Sequence, residues 1–172
     1  KDYNQMGDID ASETATWNPS GEEFRGFMPI TISSSNFQGS YNGQGYSIKG
    51  LYINRPTNNS VGLFGQSYGA TFSNIVMEDV NITCKTFVGA LVAIGIDAVV
   101  DNVHVLSGSI QGYSIAGGAI GTISPNVGSP SLSNSSSAAS VTTTQNYAGG
   151  LAGTVWAPIS QSYATGNVSG KN

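Results

Sequence analysis

Few side chains in this sequence are equipped for chemistry: His104 is the single histidine and Cys84 the single cysteine, set against ten carboxylates. A hydrolytic zinc site of the His-Glu-x-x-His kind needs two histidines, and a multi-thiolate site or an internal disulfide needs a second cysteine, so all three are excluded. A Ser–His–Asp triad would have to use His104, which sits in Asn102-Val103-His104-Val105; the competing reading is an ordinary strand position. Paired carboxylates are the remaining enzymatic route, since polysaccharide hydrolases and lyases also use β-helices and two acids suffice for acid–base work. The pairs are Asp8 with Asp10, Glu22 with Glu23, and Glu78 with Asp79. Neighbours on a strand point to opposite faces, so Glu78 and Asp79 diverge, whereas Asp8 and Asp10 share a face if extended. Calcium is a further option for Asp8, Asp10 and Glu13, with capping and turn formation as the alternative use of those oxygens. Four Asn-x-Ser/Thr sequons, at Asn58, Asn81, Asn134 and Asn167, are candidate glycosylation sites. The residues assign no catalytic group, no metal and no cofactor, and the expectation is a protein that is not an enzyme.

Composition narrows the class. Only 9% of the 172 residues are charged, and 23 glycines sit among abundant Ser, Thr and Asn. Typical globular chains carry about 25% charge, so neutral polar groups take its place on this surface. The net charge of −4 is asymmetric: every acid lies at or before Asp101, and beyond Asn102 only Lys171 is charged at neutral pH. Six Lys and Arg spread along the chain make no basic stripe, which argues against nucleic acid and anionic membranes. No apolar run approaches the roughly 20 residues of a membrane-spanning helix. The chain opens on Lys1 rather than Met and is read as a processed form or a fragment of something longer. A lone thiol is compatible with export, where stacking alone can stabilise a repeat fold.

The elements that must position these groups come from an internal repeat. Val61-Gly62-Leu63-Phe64-Gly65, Phe87-Val88-Gly89-Ala90-Leu91-Val92-Ala93, Ile115-Ala116-Gly117-Gly118-Ala119-Ile120-Gly121 and Tyr147-Ala148-Gly149-Gly150-Leu151-Ala152-Gly153 align as one motif. Leu63, Leu91, Ala119 and Leu151 are spaced 28, 28 and 32 residues apart. A second strip, beginning at Phe72, Val100, Leu132 and Ile159, keeps step at 28, 32 and 27. The extra residues of the third unit fall in Ser124-Pro125-Asn126-Val127-Gly128-Ser129-Pro130, a loop bulging from one corner.

Gly-Gly pairs, β-branched runs such as Val141-Thr142-Thr143-Thr144 and the lack of a 3.6-residue apolar period disfavour helices. Alternation in Val103-His104-Val105 and Val80-Asn81-Ile82-Thr83 favours strands. The predicted fold is all-β, a right-handed parallel β-helix, or β-solenoid, with coils of about 28 residues. The motif glycines are expected at corners needing positive φ or close backbone approach. Asn74, Asn102 and Asn134, with Gln161 at the equivalent place, are expected to form an amide ladder along the stack.

Residues 1–60 differ in texture, holding most charges, and are expected to form an irregular N-terminal cap with entry strands, while 61–172 form four repeats of one continuous domain. Phe24, Phe27, Met28 and Ile30 are the residues expected to cover the first coil. Phe37 to Ile53 carries alternating large residues around the Asn42-Gly43 turn and leads into the first regular coil.

Asp8-Ile9-Asp10, the Phe37 to Ile53 stretch and the four glycine-rich units together resemble bacterial proteins with the GLUG-type repeat, over nearly the whole chain. The departures are Ala93, where a closing glycine is expected, and Leu63, where one glycine of the pair is missing. That resemblance implies a β-helical module of large surface or secreted proteins, including adhesins and the non-catalytic regions of IgA-cleaving metallopeptidases. The function expected is an extracellular or cell-surface adhesin-like or stalk module. Its partners would be other copies of itself, flanking repeats, or a host or cell-surface glycan or protein. Exposed Tyr68, Tyr113, Trp156 and Tyr163 are candidate contacts. The alternatives are a self-assembling filament subunit, whose uncapped C-terminal coil stacks on the next cap, and a polysaccharide-active enzyme.

Overall fold

The chain winds as a β-solenoid; the computed structural model describes residues 1–31 and 35–171. Each full coil contributes to four parallel sheets. The first face, bent in the middle, holds Asp2–Asn4, Ile9–Asp10, Ser40–Asn42, Ser47–Lys49, Thr71–Glu78, Val99–Val105, Ser131–Ser133, Ser136–Ser137, Ile159–Ser160 and Tyr163–Ala164. The second holds Tyr52–Arg55, Val80–Cys84, Gly108–Gly112, Ser140–Thr143 and Val168–Ser169. The third joins Ser60–Val61, Phe87–Val88, Ile115–Gly117 and Tyr147–Gly149; the fourth joins Phe64–Tyr68, Val92–Ile96, Ile120–Ser124 and Ala152–Val155.

Register follows the repeat read from the sequence. Phe72 pairs with Val100, Val100 with Leu132 and Leu132 with Ile159, reproducing the second strip. Because side chains alternate along a strand, this register stacks like on like inside the coil. One row runs Ile53, Ile82, Ile110, Val141, Val168 on the second face; another runs Ile48, Met77, Val105, Ser137, Ala164 on the first. The members up to Val141 and Ser137 are buried, while Val168 and Ala164 at one end, and Ile9, which pairs with Ile48 at the other, are exposed. Fully burying one such aliphatic side chain contributes about 1.5–3 kcal/mol, so the rows dominate the stability of a chain with little surface charge. Among the described residues the single ion pair is Lys49–Asp79 at 3.6 Å, with both side chains more than half exposed, a geometry of little energetic weight.

The insertion of the third unit lies where the repeat placed it. Ile96 pairs with Ser124 at a 28-residue offset and Val99 with Ser131 at 32, so the added residues fall in the corner between Ser124 and Ser131.

The motif glycines take the second of their two expected roles, close backbone approach, and leave positive φ to other residues. The motif glycines Gly117 and Gly118 lack positive φ; a Cβ on Gly118 would collide with Ser137 Oγ and the Gly150 carbonyl, so they serve close approach across a narrow interior. The left-handed bends that kink the first face in the regular coils are taken by Asn74, Asn102, Asn134 and Gln161, with φ of 53, 54, 50 and 47°. Asn tolerates that region better than most residues, and this is why amides recur at one position of the coil.

At the N-terminal end Asp2–Asn4 and Ile9–Asp10 already pair in parallel with Ser40–Asn42 and Ser47–Lys49, which in turn pair with Thr71–Glu78. The Asn42-Gly43 turn bends the chain within the first face and makes no hairpin. A 3-10 helix, Ser12–Thr16, and the hairpin Pro19–Ser20 with Glu23–Phe24 complete the cap. The cover is narrower than expected: Phe27 and Ala11 pack on the core, while Phe24, Met28 and Ile30 remain 40%, 50% and 39% exposed. Phe37 instead joins Phe64 and Phe72 in an aromatic cluster, with centroids 4.7 to 5.7 Å apart.

Two substitutions test the stacking. Ile110→Ala removes a fully buried member of the second-face row and is expected to cost about 2–5 kcal/mol in urea unfolding. Thr143 is buried with no hydrogen-bond partner for its hydroxyl among the described residues, so Thr143→Val is expected to leave stability unchanged or raise it. A destabilisation beyond about 1 kcal/mol by Thr143→Val would contradict this assignment.

Candidate functional site

The structure disperses the residues that the sequence offered for chemistry. Asp8 and Asp10 do not form a reactive pair. Asp8 accepts hydrogen bonds from the Ser47 amide at 2.8 Å and its hydroxyl at 3.2 Å, and Asp10 accepts one from the Ser12 amide at 2.9 Å. Asp2 repeats the arrangement on Ser40. These donors hold the Asp2 and Asp10 carboxyls below the usual carboxylate range. Each carboxylate thus fixes a strand start or turn, the capping use of these side chains. No group of three His, Cys, Asp or Glu among the described residues is arranged to hold a metal ion. Glu22 and Glu23 lie exposed at the cap hairpin, and Asp79 is tied to Ser107 of the next coil at 2.8 Å.

His104 is the most elaborately placed titratable group. Its Nδ1 lies 2.9 Å from Ser136 Oγ and its Nε2 lies 2.9 Å from Asn102 Oδ1. An amide oxygen only accepts, so Nε2 donates to Asn102, and a serine hydroxyl at Nδ1 can serve as either donor or acceptor. The order Ser–His–Asn resembles a nucleophile with an oriented base, yet Ser136 is only 7% exposed, and its hydroxyl is spent on the neighbouring coil rather than presented to solvent. The arrangement works as a side-chain ladder. Asn102 donates to Asn74 at 2.8 Å and Asn74 to Asn42 at 3.1 Å, so the amide ladder also takes in Asn42. It ends at Asn102, because Asn134 donates instead to Asp101 at 2.7 Å and the Asn102 oxygen already serves His104.

Cys84 is buried, its thiol donating to the Asn58 and Phe87 carbonyls at 3.1 and 3.2 Å, and burial pushes its pKa up to about 11. It is therefore a packing residue and a poor nucleophile. Of the sequons, Asn81 and Asn167 are exposed on or beside strands of the second face, Asn134 is exposed but bonded to Asp101, and Asn58 is half-buried at a corner. The candidate aromatics share no platform. Tyr113 lies between the second and third faces, Trp156 after the fourth, and Tyr163 on the first, at 55%, 73% and 64% exposure. Tyr68 is half-buried, with its hydroxyl accepting from Asn126 at 2.9 Å.

Two features remain, the first hidden from the sequence and the second expected there as an uncapped coil. Asp97 accepts from the backbone amides of Asn126 and Val127 at 2.6 and 3.0 Å, so the inserted loop is clasped to the preceding coil and the carboxyl is held below its usual range. The second is the C-terminal end of the stack. Ile159 and Val168, which follow the buried Leu132 and Val141 in register, are 50% and 48% exposed, and Ala164 is exposed beside them. The strands Tyr147–Gly149, Ala152–Val155, Ile159–Ser160, Tyr163–Ala164 and Val168–Ser169 pair on one side only among the described residues. A layer of core and a set of strand edges are left open together.

Comparison with known proteins places the chain beside much longer ones. Halomucin of Haloquadratum walsbyi is 34% identical over 179 residues, covering 88% of this chain and 2% of halomucin. A protein described as a Gly-rich membrane protein of Evansella cellulosilytica is 41% identical over 63 residues, covering 37% of this chain and 7% of that protein. The chain thus spans only a small part of either relative. No protein-family model matches it, and the GLUG-type resemblance stands on the residues alone. No solved structure matches.

The Asp97 clasp has a definite pH dependence. A carboxyl whose folded pKa is lowered contributes stability that is complete above its ordinary value of 3.8 and is lost as pH falls through the folded value. Hydrogen exchange at the Asn126 and Val127 amides, corrected for intrinsic rates, should show protection at neutral pH that disappears only in acid below that value. Asp97→Asn should abolish most of that protection at neutral pH; undiminished protection in the variant would show that the loop is held by something else.

Proposed function

We propose that this chain is a non-enzymatic β-solenoid module of a cell-surface protein, a length of stalk whose open C-terminal layer receives a further coil. The observation that carries this reading is the bare layer itself. Ile159, Ala164 and Val168 occupy inward positions that are buried at Leu132, Ser137 and Val141 of the preceding coil, beside strand edges that template further parallel pairing. The dispersal of the carboxylates, the buried Ser136 and the inert Cys84 support a mechanical role over a catalytic one. Surface location draws support from the names of the two relatives, one a mucin and one a membrane protein, and from a fold that gains length with each coil. Reach rather than a pocket would be its contribution, holding contact surfaces away from their anchor. No helix among the described residues is long and apolar enough to cross a membrane.

A second reading rests on the same end. In an isolated copy, the open layer can seat another copy, giving self-association without any added partner. Sedimentation velocity over a range of concentrations tests both. The isolated chain should self-associate, and Ile159→Lys with Val168→Lys should abolish association with little change in melting temperature, because both side chains are already half exposed. A chain that stays monomeric at every concentration, or one whose association survives both lysines, would remove the open layer from the account.

A further inference from the structure

The corner between the second and third faces carries a feature that neither stalk nor self-assembly uses. Arg55, Cys84 and Gly112 occupy one register row, so Pro56, Lys85 and Tyr113, each next in sequence, line up along the stack at about the 4.8 Å spacing of neighbouring strands. With Thr57 they line an open depression of about 350 Å³. A second depression of about 140 Å³ shares Pro56 and Thr57 with it and runs back to the cap hairpin, adding Arg25, Arg55 and Asn54. The two form one groove along the corner.

Its charge runs against that of the whole. The protein carries −4, with only six Lys and Arg, yet three of the six, Arg25, Arg55 and Lys85, line this groove. Glu23 is the one acid in the lining, and none of these groups forms an ion pair among the described residues. Arg55 is buried, with its Nε donating to the Phe27 carbonyl at 3.0 Å and its Nη2 to the Gly26 carbonyl at 3.5 Å, so its charge is met by carbonyl dipoles alone. Arg25 lies close enough to lower the Arg55 pKa further, after burial. Two guanidiniums held together without a bound carboxylate favour an anion nearby.

The remaining lining decides which anion. Tyr113 is 55% exposed and its backbone is pinned by hydrogen bonds to the Cys84 and Lys85 carbonyls at 3.3 and 3.2 Å, so the ring is presented from a rigid corner. An aromatic face beside a proline suits the apolar face of a sugar ring, and the hydroxyl and amide groups of Thr57, Asn54 and Asn58 suit its hydroxyls. We propose that this groove binds a carboxylated polysaccharide, with Tyr113 stacked on a pyranose ring and Lys85 and Arg25 on uronate carboxylates. The inference stands whether or not the stack receives a further coil, since no residue of the groove lies at the C-terminal end.

Titration calorimetry of the full chain with oligogalacturonate tests it, with dextran as the neutral control and inorganic polyphosphate as the non-sugar anion. Binding of oligogalacturonate should weaken with added salt and fall about tenfold for each of Lys85→Gln and Tyr113→Ala, the loss of one charge-assisted bond or one stacked ring. Tyr163→Ala, on another face, should leave it unchanged. All three side chains are exposed, and unchanged circular dichroism would confirm that the variants fold. No binding of oligogalacturonate, equal binding of dextran, tighter binding of polyphosphate, or insensitivity to Lys85→Gln and Tyr113→Ala would each overturn the proposal.

Discussion

Everything in this molecule depends on the in-register parallel stacking of coils. A strand has a side-chain period of two, so once coil length fixes which residue lies above which, every inward position of one coil meets an inward position of the next. The result is a set of apolar rows, such as Ile53, Ile82, Ile110, Val141 and Val168, running the length of the stack. Charge contributes little, and with one exposed ion pair among the described residues it has no need to. Polar side chains repeat the same logic outside the core, where each coil offers a donor to the acceptor above it: Asn102 to Asn74, Asn74 to Asn42, Ser107 to Asp79, Thr154 to Thr122.

That constraint also explains why the chemistry is sparse. A position in a ladder has neighbours on both sides about 4.8 Å away, and a polar side chain there finds its partners along the stack. His104 shows the consequence: one ring nitrogen is held by Asn102 of its own strand, and the other joins Val99–Val105 to Ser136–Ser137. Departures occur only at corners, where coils differ in length. The inserted loop clasped by Asp97 is one, and the Arg25, Lys85 and Tyr113 groove is another.

The fold was legible because it is periodic. Spacings of 28, 32 and 27 between Phe72, Val100, Leu132 and Ile159 predict the register residue for residue, and two prolines with a glycine mark the corner that absorbs the insertion. What the sequence hid is what periodicity does not encode. The amides at Asn74 and Asn102 looked like a ladder alone, whereas their left-handed backbone is an equal reason for their recurrence. The motif glycines left positive φ and close approach both open, and only the narrow interior opposite Ser137 shows that close approach is the reason they are small. Arg25, Arg55 and Lys85 are scattered in sequence, and only coil winding brings them to one corner.

An open stack is the central claim, and the most direct measurement is thermal unfolding of a chain given one more coil. Residues 85–112 form one complete turn, from the corner after Cys84 to the equivalent Gly112, and Gly170 follows the last second-face strand at the corresponding place. Joined after Gly170, a copy of 85–112 should cover Ile159, Ala164 and Val168 in register and raise the melting temperature. A melting temperature that stays the same or falls, with the added coil unprotected from hydrogen exchange, would mean that the exposed layer is a finished end and not a site of continued stacking.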